Sequence, residues 1–92
     1  MMKEGIYMEH IKVVIWGFGA MGQGMADMLL DKKGVIISGV CDINDKLVSK
    51  NLSKVMNKSI ENDCRISDDI DQILTTTKPD VVLLCTDSFV EG

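Results

Sequence analysis

Ile-Lys-Val-Val-Ile-Trp-Gly-Phe-Gly-Ala-Met-Gly, residues 11–22, is the stretch that decides the fold. Its first half is rich in β-branched residues, which predicts a strand. The strand ends in the spacing G-x-G-x-x-G, formed by Gly17, Gly19 and Gly22, and a helical pattern follows at once. The stretch therefore predicts a strand, a tight turn and a helix in direct succession.

The three glycines predict a site for the pyrophosphate of a dinucleotide. Gly17 lets the chain leave the strand in a tight turn, and Gly19 lacks a Cβ that would keep a pyrophosphate from the backbone. Gly22 lets the helix lie close to the strand. The first N–H groups of the helix have no intrahelical partner and attract an anion together with the helix dipole. We therefore expect cofactor contacts from Gly17, Phe18, Gly19, Ala20, Met21 and Gly22. The alternative is a tight turn that binds nothing.

A carboxylate stands where a dinucleotide site requires one. Asp42 follows the second apolar run, residues 35–41, and comes about 20 positions after Gly22. A carboxylate at this point accepts hydrogen bonds from the ribose hydroxyls, and its charge repels a 2′-phosphate. NAD is the predicted cofactor. NADP stays open as an alternative, because Lys46 and Lys50 follow closely after Asp42. Two lysines at these positions fit either contact with a 2′-phosphate or a solvated helix face.

The composition is that of one ordinary globular domain. The chain has 92 residues, of which 46% are hydrophobic and 26% charged, and its net charge is −4. Without a basic block, nucleic acid is not an expected partner. The apolar runs are of strand length, so no membrane span is expected. The first residues lack the pattern of a signal peptide, and we expect a cytoplasmic protein.

The cysteines and the histidine do not predict a metal site. Cys41, Cys64 and Cys85 are widely separated, and His10 is far from all three in the sequence. No metal-ligand spacing results, and each cysteine lies in or beside an apolar run. We expect free buried thiols. Residues 1–10 are predicted to be an N-terminal extension, and residues 11–92 form the domain.

The remainder of the chain continues the alternation of helices and strands. The first helix is predicted over residues 20–33, with a buried stripe formed by Met21, Met25, Met28 and Leu29. A second strand over 35–41 precedes a helix that begins at Asn44 or Asp45 and runs to about 56. A short third strand over 64–66 leads to a helix capped by Ser67, with Asp68 and Asp69 in its first turn, and a fourth strand covers 81–85.

These elements predict an α/β fold with a Rossmann-like parallel sheet. Right-handed crossovers give the strand order 3-2-1-4, with the switch point between strands one and four. Ligands of such sheets bind beyond the carboxyl ends of the strands. Thr86 and Asp87, with Ser88, are therefore expected at the pyrophosphate or the nicotinamide ribose. An equally suitable role for Asp87 and Ser88 is to cap the next helix instead of contacting the ligand, and both roles are compatible.

Three stretches, residues 13–22, 39–42 and 80–88, carry a resemblance to a known family. They resemble the N-terminal domain of the 2,4-diaminopentanoate dehydrogenases, relatives of dihydrodipicolinate reductase and of other amino-acid dehydrogenases. The resemblance implies oxidative deamination of the 4-amino group of 2,4-diaminopentanoate, with hydride transfer to NAD or NADP. It also implies that the glycine turn, Asp42 and Thr86 contact the cofactor.

Members of that family continue well beyond this length, into a second domain that binds the substrate. The resemblance thus implies a truncated nucleotide-binding domain, incomplete on its C-terminal side, with a small amino-acid substrate held by the missing domain. No catalytic residue is assigned to this chain. The fourth strand is left with an open apolar edge, which favours a homodimer. The alternatives are a dihydrodipicolinate-reductase-like reductase and a non-catalytic NADH-binding module.

Overall fold

The computed structural model describes residues 10–85, which form three strands and three helices. The predicted contacts of Thr86 and Asp87 lie outside the described residues, as does the predicted N-terminal extension apart from His10. The elements are, in chain order, β1 (Ile11–Trp16), α1 (Ala20–Leu30), β2 (Val35–Cys41), α2 (Leu52–Met56), α3 (Ile70–Thr77) and β3 (Val81–Leu84).

The three strands form one parallel sheet in the order β2-β1-β3. The central strand β1 is covered on both faces, and Val13, Val14 and Ile15 are buried. Burial on both faces explains why this strand is continuously apolar after Lys12 rather than alternating. The predicted α/β class with a parallel sheet is thus confirmed.

The four-strand order 3-2-1-4 is not observed, since the described residues form a sheet of three strands. The segment predicted as strand four forms β3 beside β1. The prediction of a strand over 64–66 is wrong, because its backbone pairs with the loop after β2: Ile66 N–H donates to Lys50 O, and Ser49 N–H donates to Ile66 O. Only isolated bridges remain, joining Cys41 to Ser67 and Asn51 to Arg65.

A register shift in β2 decides which of its side chains face which layer. Val13 pairs with Ile37 and Val14 pairs with Gly39, so Ser38 is an extra residue in the ladder. Ile37 and Val40 join the larger core on the α1 side of the sheet. Cys41 joins Val14 and Ile73 in a smaller cluster under α3. The shift places Ile37 and Val40, which are three positions apart, on the same face of the sheet.

The predicted buried stripe of α1 is confirmed in part, since Met25 and Leu29 are half-buried and pack against the larger core. The buried residues of α1 are Gly22 and Ala26, while Met21 and Met28 are 56% and 47% exposed. The two small residues, one helical turn apart, allow the helix axis to approach the sheet, and this rotates Met21 and Met28 away from it. The helix also ends at Leu30, three residues earlier than predicted.

The two shorter helices begin later than predicted. Residues 45–49 form turns, in which Ser49 has a φ of 76°, so α2 begins only at Leu52. The cap of α3 is Asp69, whose carboxylate accepts a hydrogen bond from Gln72 N–H. The predicted cap, Ser67, accepts one from Asp69 N–H instead. None of the helices within residues 10–85 is long and apolar enough to cross a membrane.

Candidate functional site

The glycine turn lies at the carboxyl end of β1, between β1 and α1. Gly17 has a φ of 105°, a conformation that favours glycine over residues with a Cβ. Its N–H donates to Cys41 O at 2.8 Å, which continues the pairing of β1 with β2 by one residue. The chain therefore leaves the sheet in the tight turn that the sequence predicts.

Gly22 lies in direct contact with the turn. A Cβ on Gly22 would stand 2.0 Å from Gly17 O and 3.4 Å from Ile15 Cγ2. No side chain fits there unless the helix moves away from the strand. The absence of a Cβ at residue 22 thus lets α1 begin against the end of β1, as its predicted packing role requires.

The first turn of α1 presents unused backbone donors. Gly19 is the N-cap residue and the helix has no side-chain cap. The N–H groups of Gly19, Ala20 and Met21 make no hydrogen bond to other residues of the described range 10–85. Ala20 and Met21 are exposed. These donors, at the positive end of an eleven-residue helix, are suited to bind an anion.

Asp42 joins the glycine turn to the loop after β2. Its Oδ2 accepts a hydrogen bond from Phe18 N–H at 2.5 Å, and its Oδ1 accepts one from Asn44 N–H at 2.8 Å. The sheet register explains the contact, because Trp16 pairs with Cys41 and places the two following loops side by side. Each carboxylate oxygen keeps further acceptor capacity, so ribose hydroxyls can still be bound.

Phe18 is an anchor of the turn rather than an exposed contact residue. Its side chain is fully buried in the core under α1. Its N–H is engaged by Asp42, and its carbonyl accepts a hydrogen bond from Gln23 Nε2 at 3.0 Å. The predicted role of Phe18 as a cofactor contact is therefore not available through its side chain or its N–H.

Two residues beside the turn and Asp42 were not singled out from the sequence. Gln23 holds the Phe18 carbonyl, and Ile43 is 84% exposed directly after Asp42. An exposed apolar side chain next to Asp42 offers a surface on which a planar ring can pack. The sequence signal for Ile43 was its position alone, and Gln23 gave no signal apart from following the last glycine.

The thiols near the sheet are held in their neutral form. Burial, with smaller contributions from Asp42 and two further aspartates, raises the pKa of Cys41. Burial also raises the pKa of Cys85. Neutral buried thiols are poor nucleophiles and poor metal ligands. Within residues 10–85, no three His, Cys, Asp or Glu residues are grouped so as to hold a metal ion.

A cavity of about 650 Å³ lies at the opposite end of the sheet from the glycine turn. His10, Lys33, Gly34 and Val35 are among its lining residues, at the start of β1 and β2. Ligands of open parallel sheets bind beyond the carboxyl ends of the strands. The candidate site is therefore the open edge around the glycine turn and Asp42.

Comparison with known proteins finds one matching family and a similar dehydrogenase. The family model described as dihydrodipicolinate reductase, N-terminus, matches residues 11–88. The 2,4-diaminopentanoate dehydrogenase of Acetoanaerobium sticklandii is 44% identical over 82 residues, which make up 89% of this chain and 23% of that protein.

A solved structure shares the fold. The amine dehydrogenase from Mycobacterium smegmatis superposes with a TM-score of 0.71 and 35% sequence identity, over 78% of this chain and 21% of that one. The chain thus spans less than a quarter of the length of these relatives.

Proposed function

Because this chain belongs to the dihydrodipicolinate reductase N-terminal family, as an NAD(P)-binding domain, we propose that it binds NAD through the glycine turn and Asp42. The observation that carries the proposal is the 2.5 Å hydrogen bond from Phe18 N–H to Asp42 Oδ2. It joins the two features a dinucleotide site requires, an anion-binding turn and a ribose-binding carboxylate.

Each part of the dinucleotide has a suitable group in this arrangement. The N–H groups of Gly19, Ala20 and Met21 bind the pyrophosphate at the start of α1. Asp42 accepts hydrogen bonds from the adenosine ribose, and Ile43 supports the adenine ring. Thr86, which the family resemblance implies, and Asp87, which follows the last strand in the sequence, stay predicted cofactor contacts outside the described residues.

The preference for NAD over NADP rests on the charge of Asp42. Its carboxylate accepts hydrogen bonds from two backbone N–H groups, which hold it beside the glycine turn. A fixed negative charge at the ribose hydroxyls repels a 2′-phosphate. Lys46 is exposed, and its backbone N–H donates to Asn44 Oδ1. We therefore assign Lys46 to the solvated face of the loop rather than to contact with a 2′-phosphate.

The parent activity that we propose is that of an amino-acid dehydrogenase in the cytoplasm. The relative with 44% identity is named for 2,4-diaminopentanoate, which supports oxidative deamination of that substrate. A bound nicotinamide would supply the hydride acceptor for oxidation of the amine-bearing carbon. The residues of this chain bind and orient the dinucleotide, and the substrate is held by a further domain. A second candidate is a reductase of the dihydrodipicolinate type, which the description of the family model favours.

We also propose that the chain self-associates through β3. Trp16, Val82 and Leu84 are 37%, 41% and 66% exposed. The pairing of Val14 with Val82 and of Trp16 with Leu84 places these side chains on one face of the sheet. An exposed apolar strand at a sheet edge favours pairing with a second copy.

Titration with NADH and NADPH tests the proposed cofactor. Calorimetry and the fluorescence of Trp16, which precedes the glycine turn, report binding. We expect saturable NADH binding, with NADPH at least about tenfold weaker. Asp42→Ala should weaken NADH binding by at least about tenfold and reduce the preference between the cofactors.

Asp45→Ala is the matched control, because it removes the same charge from an exposed residue three positions away. Its NADH affinity should stay within about twofold of the wild type. If the folded wild-type chain binds neither cofactor, the proposed function is wrong. The reading frame after residue 92 separates the remaining candidates, because a substrate domain supports an enzyme and a stop codon supports a non-catalytic NADH-binding module.

A further inference from the structure

Two successive peptide groups of the glycine turn are each held by a side chain. The Gly17–Phe18 peptide donates its N–H to Asp42, and the Phe18–Gly19 peptide accepts from Gln23 Nε2 at 3.0 Å. Phe18, between them, has a fully buried side chain. The middle of the turn is therefore fixed at three points.

Such restraint has a physical purpose in a turn flanked by glycines. Gly17 and Gly19 adopt many backbone conformations at little cost, so the peptide groups between them rotate easily unless they are held. A rotated Phe18–Gly19 peptide would direct its carbonyl oxygen towards a bound anion. That oxygen would replace an N–H donor with a repulsive partial negative charge.

Gln23 opposes this rotation at two consecutive carbonyls. Its backbone N–H donates to Gly19 O at 2.9 Å, and its side chain donates to Phe18 O. The described peptide bonds are all trans, so the N–H of each peptide points opposite to its carbonyl. Holding both carbonyls on the Gln23 side turns the N–H groups of Gly19 and Ala20 to the opposite side.

We propose that Gln23 is a positioning residue for the dinucleotide, which fixes the Phe18–Gly19 peptide so that Gly19 N–H faces the pyrophosphate. This inference rests on the proposed function. Gln23 itself contacts the turn and not the ligand. Its effect should therefore be confined to the phosphate part of the dinucleotide.

The test compares the wild-type 92-residue chain with Gln23→Met, which keeps the length of the side chain and removes the donor. Adenosine and inorganic pyrophosphate are titrated separately by NMR, which measures weak binding at single amides. NADH is titrated into the same proteins. Gln23→Ala is a second variant without the donor, and Gln72→Met, at an exposed position of α3, is the matched control.

We expect both Gln23 variants to bind pyrophosphate and NADH about tenfold more weakly, because a donor to a charged group is misplaced. Adenosine affinity should remain within about twofold. The resonances of the Phe18 carbonyl and the Gly19 amide should shift, and those of the Asn44 amide should not. Gln72→Met should bind all three ligands as the wild type does.

The proposal is overturned if the folded Gln23 variants bind pyrophosphate as tightly as the wild type, or if adenosine binding falls by the same factor. The first result would show that the turn holds itself, and the second that the substitution acts on the whole domain. If the wild-type chain does not bind NADH, the proposed function fails, and this inference fails with it. Wild-type binding with unchanged Gln23 variants overturns the inference alone.

Discussion

β2 and β3 both pair in parallel with β1, yet one strand is buried and the other is exposed. In β2, Ile37 and Val40 are 3% and 0% exposed, whereas Val82 and Leu84 in β3 are 41% and 66% exposed. Both strands are strongly apolar in sequence. The strands differ in how helices pack on them. α1 and α3 pack against β2 and β1, and this packing buries the side chains of β2. The apolar sequence of a strand shows what it can bury, and the neighbouring elements decide whether it does.

The largest loss of stability is expected when α1, which packs against β2, is moved away from the sheet. Gly22→Ala places a Cβ 2.0 Å from Gly17 O, so α1 must shift away from the sheet. We expect a loss of about 3 kcal/mol or more in the free energy of unfolding, measured by urea denaturation.

Gly24→Ala is the control on the same helix, since its Cβ meets nothing within 4 Å. It should stabilise the protein by about 0.5 to 1 kcal/mol. Equal effects of the two substitutions would show that the close approach of α1 contributes nothing.

The same substitution on the two strands tests the comparison directly. Val40→Ala removes two methyl groups from a fully buried site, and we expect a loss of about 2 to 3 kcal/mol. Val82→Ala removes the same groups from an exposed site and should cost about 0.5 kcal/mol. Urea denaturation of both variants measures the difference. Similar losses would mean that β3 is covered in solution.

Ionisation of the Cys64 thiol should lower the free energy of unfolding by an intermediate amount. Cys64 packs against the larger core, and burial, with a smaller contribution from Asp63, raises its thiol pKa from 9.0 to about 11. The folded state thus keeps this proton to a higher pH than the unfolded chain does. The resulting stability is present in full below pH 9 and is lost as the pH rises towards 11.

We expect the free energy of unfolding to fall by about 2 kcal/mol as the Cys64 thiol ionises. Urea denaturation at pH 8 and pH 11 measures it, and the Cys64→Ala variant supplies the reference without the thiol. The wild type should lose more stability than the variant over this interval. Parallel losses in the two proteins would show that the thiol is as accessible in the folded state as in the unfolded one.

The smallest effect on folding, and the largest on association, is expected at the exposed strand. Leu84→Lys places a charge on a side chain that is 66% exposed, so stability should change by no more than about 0.5 kcal/mol. The charge should suppress self-association through β3. Sedimentation over a hundredfold range of concentration compares the variant with the wild type. A wild-type protein that is a monomer throughout contradicts the proposed dimer.

The local parts of the fold were predictable from the sequence. The strand, the glycine turn and the first helix follow from one stretch of twelve residues, because glycine spacing and apolar periodicity act within a few residues. Asp42 was predictable as a site residue for the same reason, since its distance along the chain from the glycines is fixed by one helix and one strand.

The parts that depend on distant neighbours were not predictable. The segment over 64–66 is apolar enough for a strand, but its backbone pairs with Ser49 and Lys50. A single bridge, from the following residue Ser67 to Cys41, joins this part of the chain to β2. The exposure of Met21 arises because Gly22 permits a closer approach than a methionine does. Asp42 accepts a hydrogen bond from Phe18 N–H, and Gln23 donates one to the Phe18 carbonyl. Both bonds likewise depend on how neighbouring segments meet, which periodicity does not encode.

The position of β1 has a consequence for how the protein is made. Of the strands within residues 10–85, β1 is synthesised first, and its second partner, β3, ends at residue 84. At about 5 to 20 residues per second, one edge of β1 waits roughly 3 to 14 s for that partner during translation. β2 arrives much sooner and can form the first pair. A nascent chain of this domain should therefore fold in two stages, and the unpaired side of its central strand is the surface that a chaperone would meet.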